Sequence, residues 1–159
     1  MAQGVSVRAA TISDLPALMQ LETRFPSGDR ISVPSWRRFL SREGCVQVAA
    51  SDAGVCGAAV VLIRKGAKAA RLYSLAVDER DQGQGVGRRL VEAALAYAAK
   101  AGCARLSLEV RPDNPAARAL YRKCGFVEAG AKPGHYADGT AAMVMNRAVP
   151  EEPAETFEQ

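Results

Sequence analysis

Apolar residues recur along the chain at two spacings, and the spacing divides the chain into strand-like and helix-like segments. Alternating apolar residues, or short unbroken apolar runs, are typical of strands. Apolar residues three and four positions apart are typical of helices. By these criteria we expect helices over residues 13–25, 34–44, 85–100 and 112–125, and strands over residues 6–11, 45–51, 55–64, 71–77, 103–111, 126–132 and 141–149.

The segment "CARLSLEVR", residues 103–111, shows the clearest alternation. One face of this expected strand carries the apolar residues Leu106, Leu108 and Val110. The other face carries the polar residues Ser107, Glu109 and Arg111. The order of the elements along the chain predicts an α/β fold built around one mixed sheet.

Polar residues and prolines indicate where the helices begin. Ser13 is the expected N-cap of the first helix, since a hydroxyl before an apolar-periodic segment satisfies a free backbone N–H. Either Asp113 or Asn114 caps the last helix, with Pro115 at its start and Gly125 at its end.

The composition fits one globular domain with an acidic end. The chain has 159 residues, of which 48% are hydrophobic and 24% charged. Its net charge is +4, but the last nine residues carry four glutamates and no basic residue, so residues 1–150 have a net charge of +8. We expect a folded domain over residues 1–149 and a disordered tail over residues 150–159. The basic body is either a solvated surface or a site for an anionic ligand, such as a nucleotide-like cofactor or RNA.

Cysteine and histidine usage argues against a metal site. The four cysteines form no CxxC pair, and no cysteine is near the single histidine, His135, in the sequence. We expect four buried, free thiols in a reducing compartment. No apolar run approaches the roughly 18 residues of a membrane span, and the first residues lack the apolar block of a secretory signal. The expected location is the cytoplasm, without membrane attachment.

Three glycines lie where the fourth strand gives way to a helix, in "QGQGVG", residues 82–87. The first N–H groups of a helix lack internal partners and carry partial positive charge, and glycine lets a ligand approach them closely. This turn is therefore a candidate anion site. It matches neither the dinucleotide fingerprint nor the P-loop. Arg88 and Arg89 add two cations in the first helical turn.

Two motifs together carry a family resemblance: "VDERDQGQGVGRRL" and, one strand later, "LEVRPDNPAARALYRKCGF". They resemble the GNAT superfamily of N-acetyltransferases, whose Q/R-x-x-G-x-G/A motif is matched by Gln82, Gly85 and Gly87. The resemblance covers roughly residues 5–149. It implies the GNAT fold, a single mixed and mostly antiparallel sheet flanked by helices, and acetyl-CoA as cosubstrate without a metal.

The resemblance also implies which residues bind the cofactor. Three strand residues would offer backbone groups to the pantetheine arm: Leu75, Ala76 and Val77. The pyrophosphate would be held by the turn: Gln82, Gly83, Gln84, Gly85, Val86, Gly87 and Arg88. A further contact is implied at the start of the last helix, at Asn114 and Ala117.

Within the superfamily, the second motif is most similar to bacterial N-terminal acetyltransferases that act on a ribosomal protein. This similarity implies that Glu109 is the catalytic base and Tyr121 the catalytic acid. From the residues alone, Glu109 could equally be a carboxylate on the wet face of a strand, and Tyr121 a core tyrosine. An α-amine, with a pKa near 8, loses its proton at neutral pH for about 3 kcal/mol less than lysine does, which favours an N-terminal acceptor mildly.

The sequence leaves open which amine accepts the acetyl group. Ribosomal-type members carry two aromatics in the loop between the last strands, where this chain has His135 and Tyr136. They also carry an aromatic-Pro-Trp-Ser stretch after the first helix, where this chain reads "RFPSGDRIS". The leading hypothesis is acetylation of a protein N-terminal α-amine, by a monomer or homodimer. The alternatives are a small-molecule amine or a lysine side chain as acceptor, a non-catalytic CoA-binding module and, last, an RNA-binding domain.

Overall fold

A computed structural model describes residues 4–151 of the chain. The four helices are α1 (Leu15–Glu22), α2 (Val33–Leu40), α3 (Val86–Lys100) and α4 (Pro115–Lys123). The seven strands are β1 (Ser6–Ala9), β2 (Val46–Ser51), β3 (Gly54–Ile63), β4 (Ala69–Val77), β5 (Arg105–Val110), β6 (Val127–Lys132) and β7 (Ala142–Ala148). The predicted acidic tail falls almost entirely on residues 152–159, which lie outside the described residues.

The strands form a single sheet in the order β1-β2-β3-β4-β5-β7-β6. Only β4 and β5 run parallel, and α3 is the crossover that a parallel pair requires. Every other neighbouring pair is antiparallel. The prediction of an α/β fold with a mixed, mostly antiparallel sheet is therefore confirmed, and β5 lies in the interior of the sheet.

The two faces of the sheet bury separate apolar clusters. Helices α1 and α2 cover one face, with Leu18, Trp36 and Phe39 packed against the sheet. Helices α3 and α4 cover the other, where the alternating apolar residues of β5 meet Leu90 and Val91. Each fully buried side chain of this size stabilises the fold by roughly 1.5–3 kcal/mol relative to an exposed one.

A bulge in β4 reverses the faces to which its residues point. Leu72 pairs with Val61 and Ser74 with Val60, which leaves Tyr73 without an opposite residue in β3. Leu72 accordingly packs in the α3 cluster, whereas Ala76 packs in the α1 and α2 cluster on the opposite face. An extra residue in one strand has this effect because side chains alternate with a period of two.

Strands β4 and β5 part after a short ladder. Residues Ala69–Leu72 pair with Arg105–Leu108, and no later residue of β4 pairs with β5. The second half of β4 therefore has an open backbone edge towards β5. This gap opens beside the N-terminus of α3, at the end of the sheet where β5 carries Glu109.

The start of α1 differs from the sequence prediction. Ser13 is not its N-cap, because a 3-10 turn over Ile12–Asp14 precedes the helix. The Asp14 carboxylate accepts the Thr11 backbone N–H at 2.8 Å and pairs with Arg8 at 2.8 and 3.0 Å. The Arg8–Asp14 ion pair thus helps to set the beginning of the helix, whose N-cap is Asp14, one residue later than the hydroxyl pattern indicated.

Candidate active site

The glycine turn leads into α3 with two residues in the left-handed region. Gly83 has φ +79° and Gly85, the N-cap of α3, has φ +85°. A Cβ built on either glycine meets no atom within 4 Å, so both face open space. Gly85 has no side chain to cap the first N–H groups of α3, and the N–H of Arg89 donates to the carbonyl of Gly85 at 3.1 Å. The turn is therefore an open cradle of unshielded donors at a helix N-terminus, which suits an anion.

The third glycine has a different role. Gly87 is buried, and a Cβ there would lie 2.9 Å from Cδ2 of Leu120 in α4. Its missing side chain lets α4 approach the first turn of α3. Val86 is also buried, so both residues fix the helix that presents the cradle.

The two predicted cations have different partners. The exposed side chain of Arg88 lies 3.8 Å from Glu92 on the next turn of α3. Arg89 instead donates a hydrogen bond to the carbonyl of Val5 at the start of the sheet. Sequence reasoning missed Arg24, which reaches the turn from the end of α1. With its amide oxygen turned towards Arg24, Gln82 accepts hydrogen bonds from that guanidinium at 2.5 and 2.9 Å.

Two other groups of predicted cofactor residues lie on β4 and at the start of α4. Leu75, Ala76 and Val77 occupy the part of β4 that no longer pairs with β5. Asn114 is the N-cap of α4, and its Oδ1 accepts the N–H of Ala117 at 3.1 Å. Asn114 rather than Asp113 therefore caps this helix, and its amide NH₂ is left for other contacts.

Glu109 is a buried carboxylate held between two cations. Its side chain is only 7% exposed, and it pairs with Arg71 of β4 at 2.8 Å and with Lys132 of β6 at 3.0 Å. Burial alone would raise the pKa of Glu109, but the hydrogen bond from Lys132 and the charge of Arg71 outweigh it, so this pKa lies below its ordinary value. Glu109 is thus ionised at neutral pH.

Tyr121 is buried in α4 and packs edge-to-face on Phe126, with 5.7 Å between the ring centroids. Burial, followed by the nearby Tyr136, raises the pKa of Tyr121 far above its ordinary value. Its hydroxyl therefore stays protonated throughout the neutral and mildly alkaline range.

Tyr136 interacts electrostatically with both predicted catalytic residues. It is half-buried in the loop between β6 and β7, where it raises the pKa of Tyr121 and where Glu109 raises its own pKa. Burial raises the pKa of Tyr136 to about 12, while the adjacent Arg111 opposes that rise. His135 packs edge-to-face on its ring at 4.7 Å. Tyr136 thus lies within electrostatic range of both Glu109 and Tyr121.

Sequence reasoning missed the cations near Glu109 and their partners. Arg71 comes from β4, which flanks β5, and Lys132 comes from β6, which β7 separates from β5. The register of both with Glu109 depends on strand pairing. Alternation did place Arg111 on the same face as Glu109. Its carboxylate partners, Asp29 and Asp138, lie in loops far apart in sequence.

The predictions on cysteines, metal ligands and membrane spans can be compared with the described residues. The four cysteines are free and buried, as predicted. Nowhere in residues 4–151 do three or more His, Cys, Asp or Glu side chains gather in a way that could hold a metal ion. None of the helices in this part of the chain has the length and apolar character needed to cross a membrane.

Comparison with known proteins identifies the family. Residues 15–126 match the Acetyltransferase (GNAT) family. The chain is 33% identical over 148 residues to an uncharacterized protein of Mycobacterium leprae, covering 90% of this chain and 40% of that protein. It is 32% identical over 148 residues to the N-alpha-acetyltransferase RimI of Mycobacterium tuberculosis, covering 90% of this chain and 92% of the relative.

A solved structure agrees with this result. The crystal structure of the ribosomal-protein-alanine N-acetyltransferase of Escherichia coli superposes with a TM-score of 0.76 at 27% identity, covering 96% of this chain and 99% of that one. The resemblance read from the glycine turn and the second motif is confirmed. This chain belongs to the GNAT family and is an acetyl-CoA-dependent N-acetyltransferase.

Proposed function

We propose that this enzyme acetylates the α-amine at a protein N-terminus, with Glu109 accepting a proton from the amine and Tyr121 giving a proton to the leaving sulfur. The observation that carries the proposal is a buried carboxylate, held ionised between Arg71 and Lys132, together with a buried phenol that stays protonated. Glu109 lies at the end of the sheet where β4 and β5 part. General acid–base chemistry needs such a pair with opposite protonation states.

The cofactor fits the glycine turn and the strand gap. The N–H groups from Gly85 to Arg88 would hold the pyrophosphate, with Gln82, Gly83, Gln84 and the side chain of Arg88 around it. The open edge at Leu75, Ala76 and Val77 would bond the pantetheine amides, and Asn114 with Ala117 would line the other side. When bound, acetyl-CoA supplies the acetyl group as a thioester that an amine can attack.

Glu109 is a weak base, and this limits which amines it can serve. Moving a proton from an α-ammonium, with a pKa near 8, to an ordinary glutamate costs about 5 kcal/mol, and from a lysine about 8 kcal/mol. Because the pKa of Glu109 is lower than ordinary, both costs are lower limits. Both costs fit within the roughly 17 kcal/mol barrier of a reaction that turns over once per second, but the smaller cost leaves about 3 kcal/mol more of that barrier for the chemical step. The difference favours an α-amine, whether Glu109 acts directly or through a water.

The named relatives support the same acceptor. The M. tuberculosis relative, aligned along nearly its whole length, is named as an N-alpha-acetyltransferase. The E. coli neighbour is named as an alanine N-acetyltransferase of a ribosomal protein. We therefore propose a protein N-terminus, with ribosomal proteins as the first substrates to test.

The test is a panel of acceptors incubated with acetyl-CoA and read by mass spectrometry. The panel contains ribosomal N-terminal peptides, the same peptides with a blocked N-terminus and one lysine, and small amines. We expect acetyl only on the free α-amine, a large loss of turnover in Glu109→Gln, and no loss in the control Glu128→Gln, which changes an exposed glutamate of β6. Acetyl on lysine Nε alone, or on a small amine alone, would overturn the acceptor. Binding of acetyl-CoA without any turnover would favour the non-catalytic module.

A further inference from the structure

One guanidinium joins two loops that are far apart in the sequence. Arg111 follows β5, and its Nε and Nη2 donate to Oδ2 of Asp29 at 3.1 and 2.6 Å. Its Nη1 donates to Oδ2 of Asp138 at 3.0 Å. Asp29 ends the 3-10 turn between α1 and α2, and Asp138 lies between β6 and β7. Both loops are therefore tied to the end of the central strand that carries Glu109.

The two loops also pack closely against each other at Gly28 and Ala137. A Cβ built on Gly28 would lie 2.6 Å from Cβ of Ala137, so no side chain fits between them. We call this contact, with the ion pairs of Arg111, the loop bridge. It consists of residues 26–31, residues 134–140 and Arg111.

Each loop is ordered independently of the bridge. In the first, Arg30 donates to the carbonyls of Phe25 and Thr23 at 2.9 and 3.0 Å. The buried carboxylate of Glu22 accepts the N–H of Ile31 at 2.6 Å. In the second, Oδ1 of Asp138 accepts the N–H of Thr140 at 2.9 Å. Arg111 thus connects two preformed loops rather than folding either one.

The bridge also positions Tyr136. The guanidinium of Arg111 lies 4.3 Å from the centroid of the Tyr136 ring, a cation–π contact. The side chains of Arg111 and Asp29 are only 16% and 14% exposed, so their ion pair is little screened by solvent. A planar guanidinium bonded on two edges and stacked on a ring has little freedom to move.

We propose that Arg111 is a positioning residue for the acceptor: it holds the loop bridge closed over the entrance to Glu109 and fixes Tyr136 there. This inference rests on the proposed function, in which the acceptor amine reaches Glu109 at this end of the sheet. Arg111 touches neither the glycine turn nor the open half of β4. Its loss should therefore affect the acceptor and spare the cofactor.

The first experiment separates acceptor from cofactor in steady-state kinetics. We expect Arg111→Gln to raise the acceptor KM by about 10-fold or more, because small displacements of positioning groups are costly, while the KM for acetyl-CoA changes less than about 2-fold. Arg111→Lys keeps the charge but loses the forked geometry, and should recover only part of the loss. The control is Arg105→Gln, an exposed arginine at the opposite end of β5. An unchanged acceptor KM, or an equal rise in both KM values, overturns the proposal.

A milder variant tests the same bridge in case Arg111→Gln does not fold. Asp138→Asn keeps the oxygen that caps Thr140 and removes only the charge facing Arg111, on a side chain that is 58% exposed. It should raise the acceptor KM in the same direction as Arg111→Gln, by a smaller factor. A rise in the acetyl-CoA KM instead would overturn the proposal.

The second experiment needs no substrate. Gly28→Cys combined with Ala137→Cys places two thiols across the bridge, and a shift of about 1 Å gives the Cβ separation near 3.8 Å of an ordinary disulfide. We expect rapid cross-linking under mild oxidation, measured by intact-protein mass spectrometry. Adding Arg111→Gln should make this cross-linking about 10-fold slower. The native cysteines are all buried, and Gly28→Cys alone controls for them. Equal rates with and without Arg111 overturn the bridge.

The two experiments also distinguish the two proposals. If the wild-type chain acetylates no N-terminal peptide, the proposed function fails, but the cross-linking rates still support or overturn the bridge. If peptides are acetylated and Arg111→Gln changes neither the acceptor KM nor the cross-linking rate, only the bridge fails.

Discussion

The two ends of the proposed reaction site are built in different ways. The glycine turn is one continuous segment, residues 82–88, and it presents backbone N–H groups. The cluster around Glu109 is assembled from side chains on β4, β5 and β6 and on two loops. Backbone donors suit the pyrophosphate of the cofactor, which is the same whatever the acceptor is. Side chains, in contrast, can change when the acceptor changes. The difference suggests that the first region sets the cofactor and the second sets the chemistry and the acceptor.

Removing the Tyr121 hydroxyl should have the largest effect that is confined to one of the two regions. We expect Tyr121→Phe to lower kcat by about 10²–10⁴-fold, the usual contribution of a positioned acid, and to leave acetyl-CoA affinity unchanged. Rapid-mix kinetics and calorimetric titration measure the two effects. Tyr97→Phe, at a half-buried tyrosine of α3, is the matched control. If kcat survives, Tyr121 is a core residue and not the acid.

A glycine replacement tests the other region. Gly85→Ala forces a side chain into φ +85°, at a cost of roughly 1–2 kcal/mol, and puts a methyl group into the open cradle. We expect acetyl-CoA to bind at least about 10-fold more weakly. Gly102→Ala carries the same strain at the other end of α3, at φ +82°, and also meets open space. Equal losses of cofactor affinity in both variants would mean that strain, and not the cradle, accounts for the effect.

Changing Lys132 tests the charge balance around the base. Lys132→Met removes a hydrogen bond and a charge that hold the pKa of Glu109 down, so this pKa rises. The acidic limb of the kcat/KM profile should move to higher pH, with the acetyl-CoA KM unchanged. Lys123→Met, at an exposed lysine of α4, should leave the profile in place. A limb that does not move would exclude Glu109 as the titrating base.

The same variant has a stability signature with a defined sign. The pKa of Glu109 is lower in the folded state than its ordinary value of 4.5, so its contribution to stability is complete above that pH and is lost as the pH falls through the folded value. The stability difference between wild type and Lys132→Met should therefore shrink in acid. Urea melts at neutral pH and below pH 4 measure it.

Asn114 gives the smallest expected effect, at the border of the two regions. Asn114→Ala removes the cap of α4 and should lower the free energy of unfolding by about 1 kcal/mol. Asn114→Asp keeps the capping oxygen and so should keep the stability, while losing the amide donor and weakening acetyl-CoA binding a few-fold. Unchanged binding in Asn114→Asp would remove this residue from the cofactor site.

Most local features of this chain were readable from sequence, and long-range ones were not. The glycine turn, the cap at Asn114 and the face of Glu109 depend on neighbours a few residues away. The pairing of Glu109 with Arg71 and Lys132 depends on the register of four strands, β4, β5, β7 and β6, which alternation alone leaves open. Ser13 failed as a cap for a local reason, because Thr11 and Asp14 form a capping box around the 3-10 turn that precedes α1. The bulge at Tyr73 has no sequence signal that separates it from a regular strand.

The parting of β4 and β5 places a sheet edge inside the molecule. Edges of sheets commonly lie at the periphery, where any foreign strand can add to them and start aggregation. Here the open edge has β5 in front of it and helices on both faces of the sheet, so a second polypeptide strand with bulky side chains is kept out. A narrow ligand made of amides and methylene groups can enter this gap. The fold thereby keeps unpaired backbone donors and acceptors available to a ligand without exposing them to the strands of other proteins.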